Sequence, residues 1–151
     1  MHFAFLGTSG AVPSLARDNT SLVFVGAGEA VLVDCGGSPI QKLLLAAVDP
    51  LTVSRVIITH LHVDHAYGLP SLVRNQGLLG RRLPLRISCR EEHAESIRDL
   101  LRVFRVLDRP DSFWRSFGEL DLSRHATSFV QRHGWPLDPP GDTPPKYDTR
   151  L

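Results

Sequence analysis

The 151-residue sequence carries two cysteines, two lysines, one methionine and only 7% aromatic residues, and each scarcity excludes something. Cys35 and Cys89 are too few for a disulfide framework and too far apart for a zinc-knuckle pair; they suit a reducing cytoplasm. No apolar run is long enough to span a bilayer, so no membrane association is expected. The opening "MHFAFLGTSG" has no basic segment before its short apolar stretch, which argues against a secretory signal. Asn19-Thr20-Ser21, formally a glycosylation acceptor, therefore reads as an ordinary loop. The formal charge is +1, so no overall basicity points to nucleic acid. Cationic charge is almost all arginine, fifteen residues against Lys42 and Lys146, with ten of the arginines between Arg74 and Arg115. A solvated helix face explains that bias more simply than a phosphate-facing surface does.

What is present supports one folded unit. Hydrophobic residues make up 42%, enough for a modest core, and no internal repeat is visible. "HFAFLG" and "SLVFVGAGEAVLVDCGG" are dense in β-branched and aromatic residues, and Gly26-Ala27-Gly28 offers a hairpin turn between two apolar arms. Ser38-Pro39 reads as a helix start, Ser38 as N-cap and Pro39 at the first helical position, leading into "IQKLLLAAV" up to Asp49-Pro50. "VSRVIIT" reads as a buried strand ending at His60. From Glu91 to Leu107, Ile97, Leu100, Leu101, Phe104 and Leu107 fall at helical spacing behind the acidic Glu91, Glu92 and Glu95. "ATSFVQ" predicts one more strand running to His133, and after Trp135 five prolines forbid regular structure. Strands alternating with helices predict an α/β fold, and the hairpin in the first third predicts a mixed sheet.

The segment "IITHLHVDHAYGLP" gathers three of the seven histidines and an aspartate into six consecutive positions at a strand terminus. His60 and His62 project to one side of an extended backbone and can grip one ion together. Asp64 and His65, where the chain turns into a helix, are placed for a second. Imidazole nitrogen and carboxylate oxygen suit zinc, and the lack of cysteine among them favours a catalytic site with open positions over a closed structural one.

"HLHVDH" matches the His-x-His-x-Asp-His signature of the metallo-β-lactamase superfamily, and "THLHVDHAYGLPSL" resembles its ribonuclease Z branch. "FLGTSGAVPSLAR" is similar to that branch's N-terminal motif, and "VLVDCGG" to the strand and turn where the superfamily carries Asp-Cys-Gly. The resemblance covers about the first ninety residues. It implies an αββα sandwich of two similar halves with a two-zinc site where loops of both halves meet. It assigns His60 and His62 to one zinc and Asp64 and His65 to the other, with Asp64 orienting the nucleophile or taking its proton. It also implies a third histidine, a bridging aspartate and a final histidine further along the chain.

His133, following "ATSFVQR", is the candidate third ligand, with His125 as alternative. His93 would share the apolar helix stripe, and His2 would be exposed. Asp142 lies in a Gly-Asp-Thr like that of the bridging aspartate, but Pro139-Pro140 and Pro144-Pro145 flank it, so a proline-rich loop is the better reading. No histidine follows His133. The simplest expectation is therefore residues 1–134 as an N-terminal portion of such a domain, the first half of the sandwich or slightly more, and residues 135–151 as a Pro-rich tail. Such a portion would expose apolar surface and associate, a homodimer being one outcome. The expected function is zinc-dependent cleavage of precursor tRNA 3′ trailers. The alternatives are a small-molecule phosphodiesterase or arylsulfatase-like hydrolase, and an incomplete, non-catalytic metal-binding module.

Overall fold

The β-branched and aromatic runs near the N-terminus form β1 (His2–Gly7), β2 (Ser21–Val25) and β3 (Ala30–Val33), an antiparallel meander in a computed structural model that describes residues 1–107 and the backbone of 114–119. The β2–β3 turn closes with the Gly26 amide donating to the Glu29 carbonyl at 2.8 Å, and Gly28 takes a positive φ of 83° there. From β3 onward the chain changes to parallel crossovers. α1 (Pro39–Leu45) leads to β4 (Val53–Ile57); α2 (Val63–Ala66) and α3 (Leu69–Leu78) lead to β5 (Leu85–Cys89); α4 (Ala94–Val103) leads to β6 (Trp114–Glu119). The six strands lie in sequence order in one mixed sheet.

Strand order that advances in one direction through right-handed crossovers puts every connecting helix on the same face. That face holds the core: Val23, Leu32, Val56 and Ile87 from the sheet pack with Leu43, Leu72, Ile97 and Leu101 from the helices, all at most 2% exposed. Strand alternation sends the remaining side chains to the opposite face. There Phe3 and Phe5 stand 47% and 62% exposed, their rings edge to face at 5.7 Å.

Several predicted elements end earlier than their patterns suggest. α1 stops at Leu45 because Ala47 takes φ 55° and the Val48 amide turns back to the Leu43 carbonyl. Ser38 is its N-cap by position but makes no side-chain capping bond. The helix expected from Glu91 begins as a 3-10 turn (Glu91–His93), and α4 ends at Val103 with Arg105 at φ 53°, leaving Phe104 exposed. His93 is partly buried, as expected, and stands at the N-cap position of α4. The strand at β5 and the one at β6 were not visible as patterns, and the predicted strand at "ATSFVQ" lies outside the described residues. Three of the arginines make intramolecular contacts that account for their placement. Arg98 and Arg102 bridge Glu95 and Asp99 on α4, and the buried Arg81 donates to the carbonyls of Leu51, Leu83 and Pro84.

Candidate metal centre

β3 and β4 pair in parallel, with Val33 opposite Ile57, so the residues leaving their C-terminal ends emerge side by side. The Asp34 amide donates to the Ile57 carbonyl at 2.8 Å, prolonging the pairing by one step. Asp34 itself adopts φ 57°, a left-handed conformation that asparagine and aspartate tolerate better than most residues. Its carboxylate thereby turns across to the β4 exit, where it accepts from the Thr59 amide at 2.8 Å and lies 2.9–3.0 Å from the Thr59 hydroxyl.

The histidine segment wraps around this carboxylate. His65 Nδ1 stands 2.8 Å from Asp34 Oδ2, and the Thr59 hydroxyl stands 3.0 Å from His60 Nδ1. The Cys35 amide donates to the His65 carbonyl at 2.7 Å, and the Gly68 amide to the Cys35 carbonyl at 2.8 Å. These bonds lace the turn after β3 to α2 and α3. Gly36 is required where they meet, since a Cβ there would collide with the Asp64 carbonyl. A second bracket lies alongside. Asn19, 2% exposed, donates from Nδ2 to the carbonyls of Gly10 and Ala11 and accepts from the Tyr67 hydroxyl at 3.3 Å. The formal glycosylation residue is thus a buried clamp between the 8–18 loop and the histidine segment.

The structure brings His60, His62, Asp64 and His65 together as two neighbouring pairs. His60 Nε2 and His62 Nδ1 are 3.1 Å apart; His65 Nε2 and Asp64 Oδ2 are 3.3 Å apart; and the His60 and His65 rings lie at 4.0 Å. Among the described residues no three histidine, cysteine, aspartate or glutamate side chains converge as a finished metal-binding group. His125, His133 and Asp142 lie outside the described residues. Each pair is in direct hydrogen-bond or ion-pair contact, at a separation close to the ~3.3 Å between two donors bound tetrahedrally to one zinc at ~2.0–2.1 Å. Nitrogen and carboxylate donors in such pairs could hold zinc. The cysteines take no part: burial pushes the Cys35 thiol far up, with the Lys42 charge opposing and Asp34 adding to the effect, and burial also raises Cys89. Both stay protonated and unsuited as thiolate ligands.

Sequence reasoning missed Asp34 and Thr59 as members of this centre. An aspartate at a strand end, just before Gly36-Gly37, was the available signal; its reach to β4 depends on the register.

A sequence profile described as the Metallo-beta-lactamase superfamily matches residues 16–122. Among curated proteins, the ribonuclease Z of Methanothermobacter thermautotrophicus is 45% identical over 87 residues, 58% of this chain and 28% of that protein. The ribonuclease Z of Methanocaldococcus jannaschii is 38% identical over 103 residues, 68% of this chain and 32% of that protein. Among solved structures, human tRNase Z, short form, superposes with a TM-score of 0.60 at 31% identity, covering 67% of this chain and 38% of that one. The metallo-beta-lactamase fold protein YhfI of Bacillus subtilis gives 0.54 at 25% identity, covering 64% and 41%. The chain spans about a third of the length of the curated relatives it matches.

Proposed function

Because this chain belongs to the metallo-β-lactamase superfamily, with its similarity running to the ribonuclease Z branch, we propose that it supplies the histidine-rich half of a zinc-dependent phosphodiesterase acting on precursor tRNA 3′ trailers. The observation that carries this reading is the pairing of His60 with His62 and of Asp64 with His65 at the carboxyl edge of parallel strands. That edge is where open α/β sheets receive ligands. His60 and His62 would hold one zinc and Asp64 and His65 the second, with His133, or His125, completing the first. When bound, the metal supplies a hydroxide nucleophile at neutral pH and stabilises charge developing at phosphorus. Asp64 is the catalytic candidate: its carboxylate, 13% exposed, orients the attacking water and accepts its proton. Asp34 and Thr59 hold the rings, and the Asn19 bracket holds the adjoining loop against Tyr67. Two buried free cysteines fit a reducing cytoplasm. Among the described residues no helix is long and apolar enough to cross a membrane. Residues 1–134 would form the domain portion and 135–151 the proline-rich tail.

The test is zinc content per chain after exhaustive dialysis, followed by cleavage of a precursor tRNA against a chromogenic aryl phosphodiester or aryl sulfate. His62→Ala and Asp64→Asn should each lose at least 10²-fold in turnover, the order of a general acid–base contribution, while remaining folded. Cleavage of the small ester with no RNA cleavage would replace the nuclease with a small-substrate hydrolase. The non-catalytic metal-binding module is the second reading, and the same variants separate it from an enzyme. A module would bind metal, and the two variants would remove that metal without any turnover to lose.

A further inference from the structure

We propose that Thr59 is a positioning residue that fixes the ring tautomer of His60, so that one carboxylate, Asp34, orients a histidine in each of the two pairs. The inference rests on the metal-binding reading above and assigns a role to residues outside the ligand set.

The argument is a count of protons. A carboxylate only accepts hydrogen bonds, and a threonine hydroxyl has one proton to donate. Thr59 Oγ1 lies 2.9 and 3.0 Å from the two Asp34 oxygens and 3.0 Å from His60 Nδ1. With the hydroxyl proton directed at Asp34, a lone pair of Oγ1 faces the ring, and Nδ1 of His60 must carry the hydrogen. The neutral ring then presents a bare Nε2, the atom that stands 3.1 Å from His62 Nδ1. On the other side Asp34 Oδ2 lies 2.8 Å from His65 Nδ1, which likewise carries the hydrogen, so that the ring's other nitrogen, Nε2, is the one turned to Asp64 at 3.3 Å. Asp34 acts directly on His65 and through the Thr59 hydroxyl on His60. A histidine nitrogen can bind a metal only when its proton sits on the other nitrogen, and the bond that other nitrogen makes decides the matter. The carboxylate is held for this task by its left-handed backbone and by the Thr59 amide.

Thr59 is exposed at the strand exit, so its replacement leaves the core untouched. Thr59→Val keeps the β-branched shape and removes the hydroxyl; Thr59→Ser keeps the hydroxyl. The experiment uses the full chain, with zinc affinity read by competition against a chromogenic chelator and the His60 ring nitrogens read by 15N chemical shifts without metal. The expected result is a ~10–100-fold loss of zinc affinity in Thr59→Val, the usual cost of losing such an outer-shell partner, with Thr59→Ser within about 3-fold of wild type. In wild type the His60 proton is expected on Nδ1, and in Thr59→Val on Nε2 for a growing share of molecules. Equal zinc affinity in wild type and Thr59→Val overturns the proposal. So does a wild-type His60 carrying its proton on Nε2, a result independent of whether any variant folds. Failure of the wild-type chain to bind zinc at all would overturn the metal reading, while the nitrogen shifts would still decide the Thr59 relay on their own.

Discussion

Lys42 shows at the residue scale how burial turns into a pH dependence. It is 6% exposed, donates to Ser21 Oγ at 2.9 Å and stands 3.5 Å from Asp18. Burial pushes its ammonium below the ordinary 10.5, against the opposing pull of Asp18. Between the lowered value and 10.5 the unfolded chain binds more protons than the folded one, so stability rises with pH across that window. The cost of the buried charge is fully present below it. Relative to Lys42→Met, wild type should therefore gain stability as pH is raised from neutral towards 10.5, in denaturant titrations of both proteins. A constant difference would contradict this. Gly36 belongs to the same scale. An added Cβ meets the Asp64 carbonyl, which is backbone and cannot swing aside, so Gly36→Ala should cost about 1–3 kcal/mol or more in thermal or chemical unfolding. The displacement would fall on the histidine segment, and zinc affinity should drop with it.

At the scale of elements, helix termini separate a cap by position from a cap by bond. Ser38 precedes α1 but makes no side-chain bond to it, whereas Asp49 accepts from the Leu51 amide at 2.9 Å and closes the 3-10 turn Pro50–Thr52. Ser38→Ala should cost well under about 0.5 kcal/mol, and Asp49→Ala about 0.5–2 kcal/mol, in paired urea titrations. Equal effects would mean that the Asp49 bond has no energetic weight. Residue pattern located α1 and α4 correctly because an apolar stripe needs only local periodicity. It misplaced their ends because Ala47 and Arg105 leave the helical region through left-handed conformations that neither residue type announces. β5, "LRISC", was missed for a related reason: five residues with an exposed Arg86 give too short an alternation to stand out.

For the molecule as a whole, the helices lie on one face of the sheet, and Phe3 and Phe5 stand exposed on the other. With Phe24 they form an apolar cluster, and exposed apolar clusters of this kind mark contact surfaces. The polypeptide should therefore associate: sedimentation velocity should show a weight-average mass that climbs with concentration, and replacing Phe3 and Phe5 by serine should shift it towards monomer. A monomer at every concentration would remove the inference. The strand of both phenylalanines pairs at its other edge with β2, so the double variant tests the face and leaves the ladder intact.

By itself the sequence determined the class of fold and located a cluster of candidate donor atoms. Donor atoms suited to metal were recognisable in His60, His62, Asp64 and His65 because they fall within six consecutive positions, and strand and helix periods are likewise local properties of the chain. The superfamily was legible for the same reason, its signature being six contiguous residues. What only the tertiary structure decided was the support. Asp34 lies 25 residues before Thr59 and 31 before His65, and Asn19 lies 48 before Tyr67. No local pattern links such positions. They meet because β3 and β4 pair in one register and because a left-handed Asp34 turns its carboxylate across that register. Side-chain donors are written in the chain, while the hydrogen bonds that aim them depend on which strand ends emerge together.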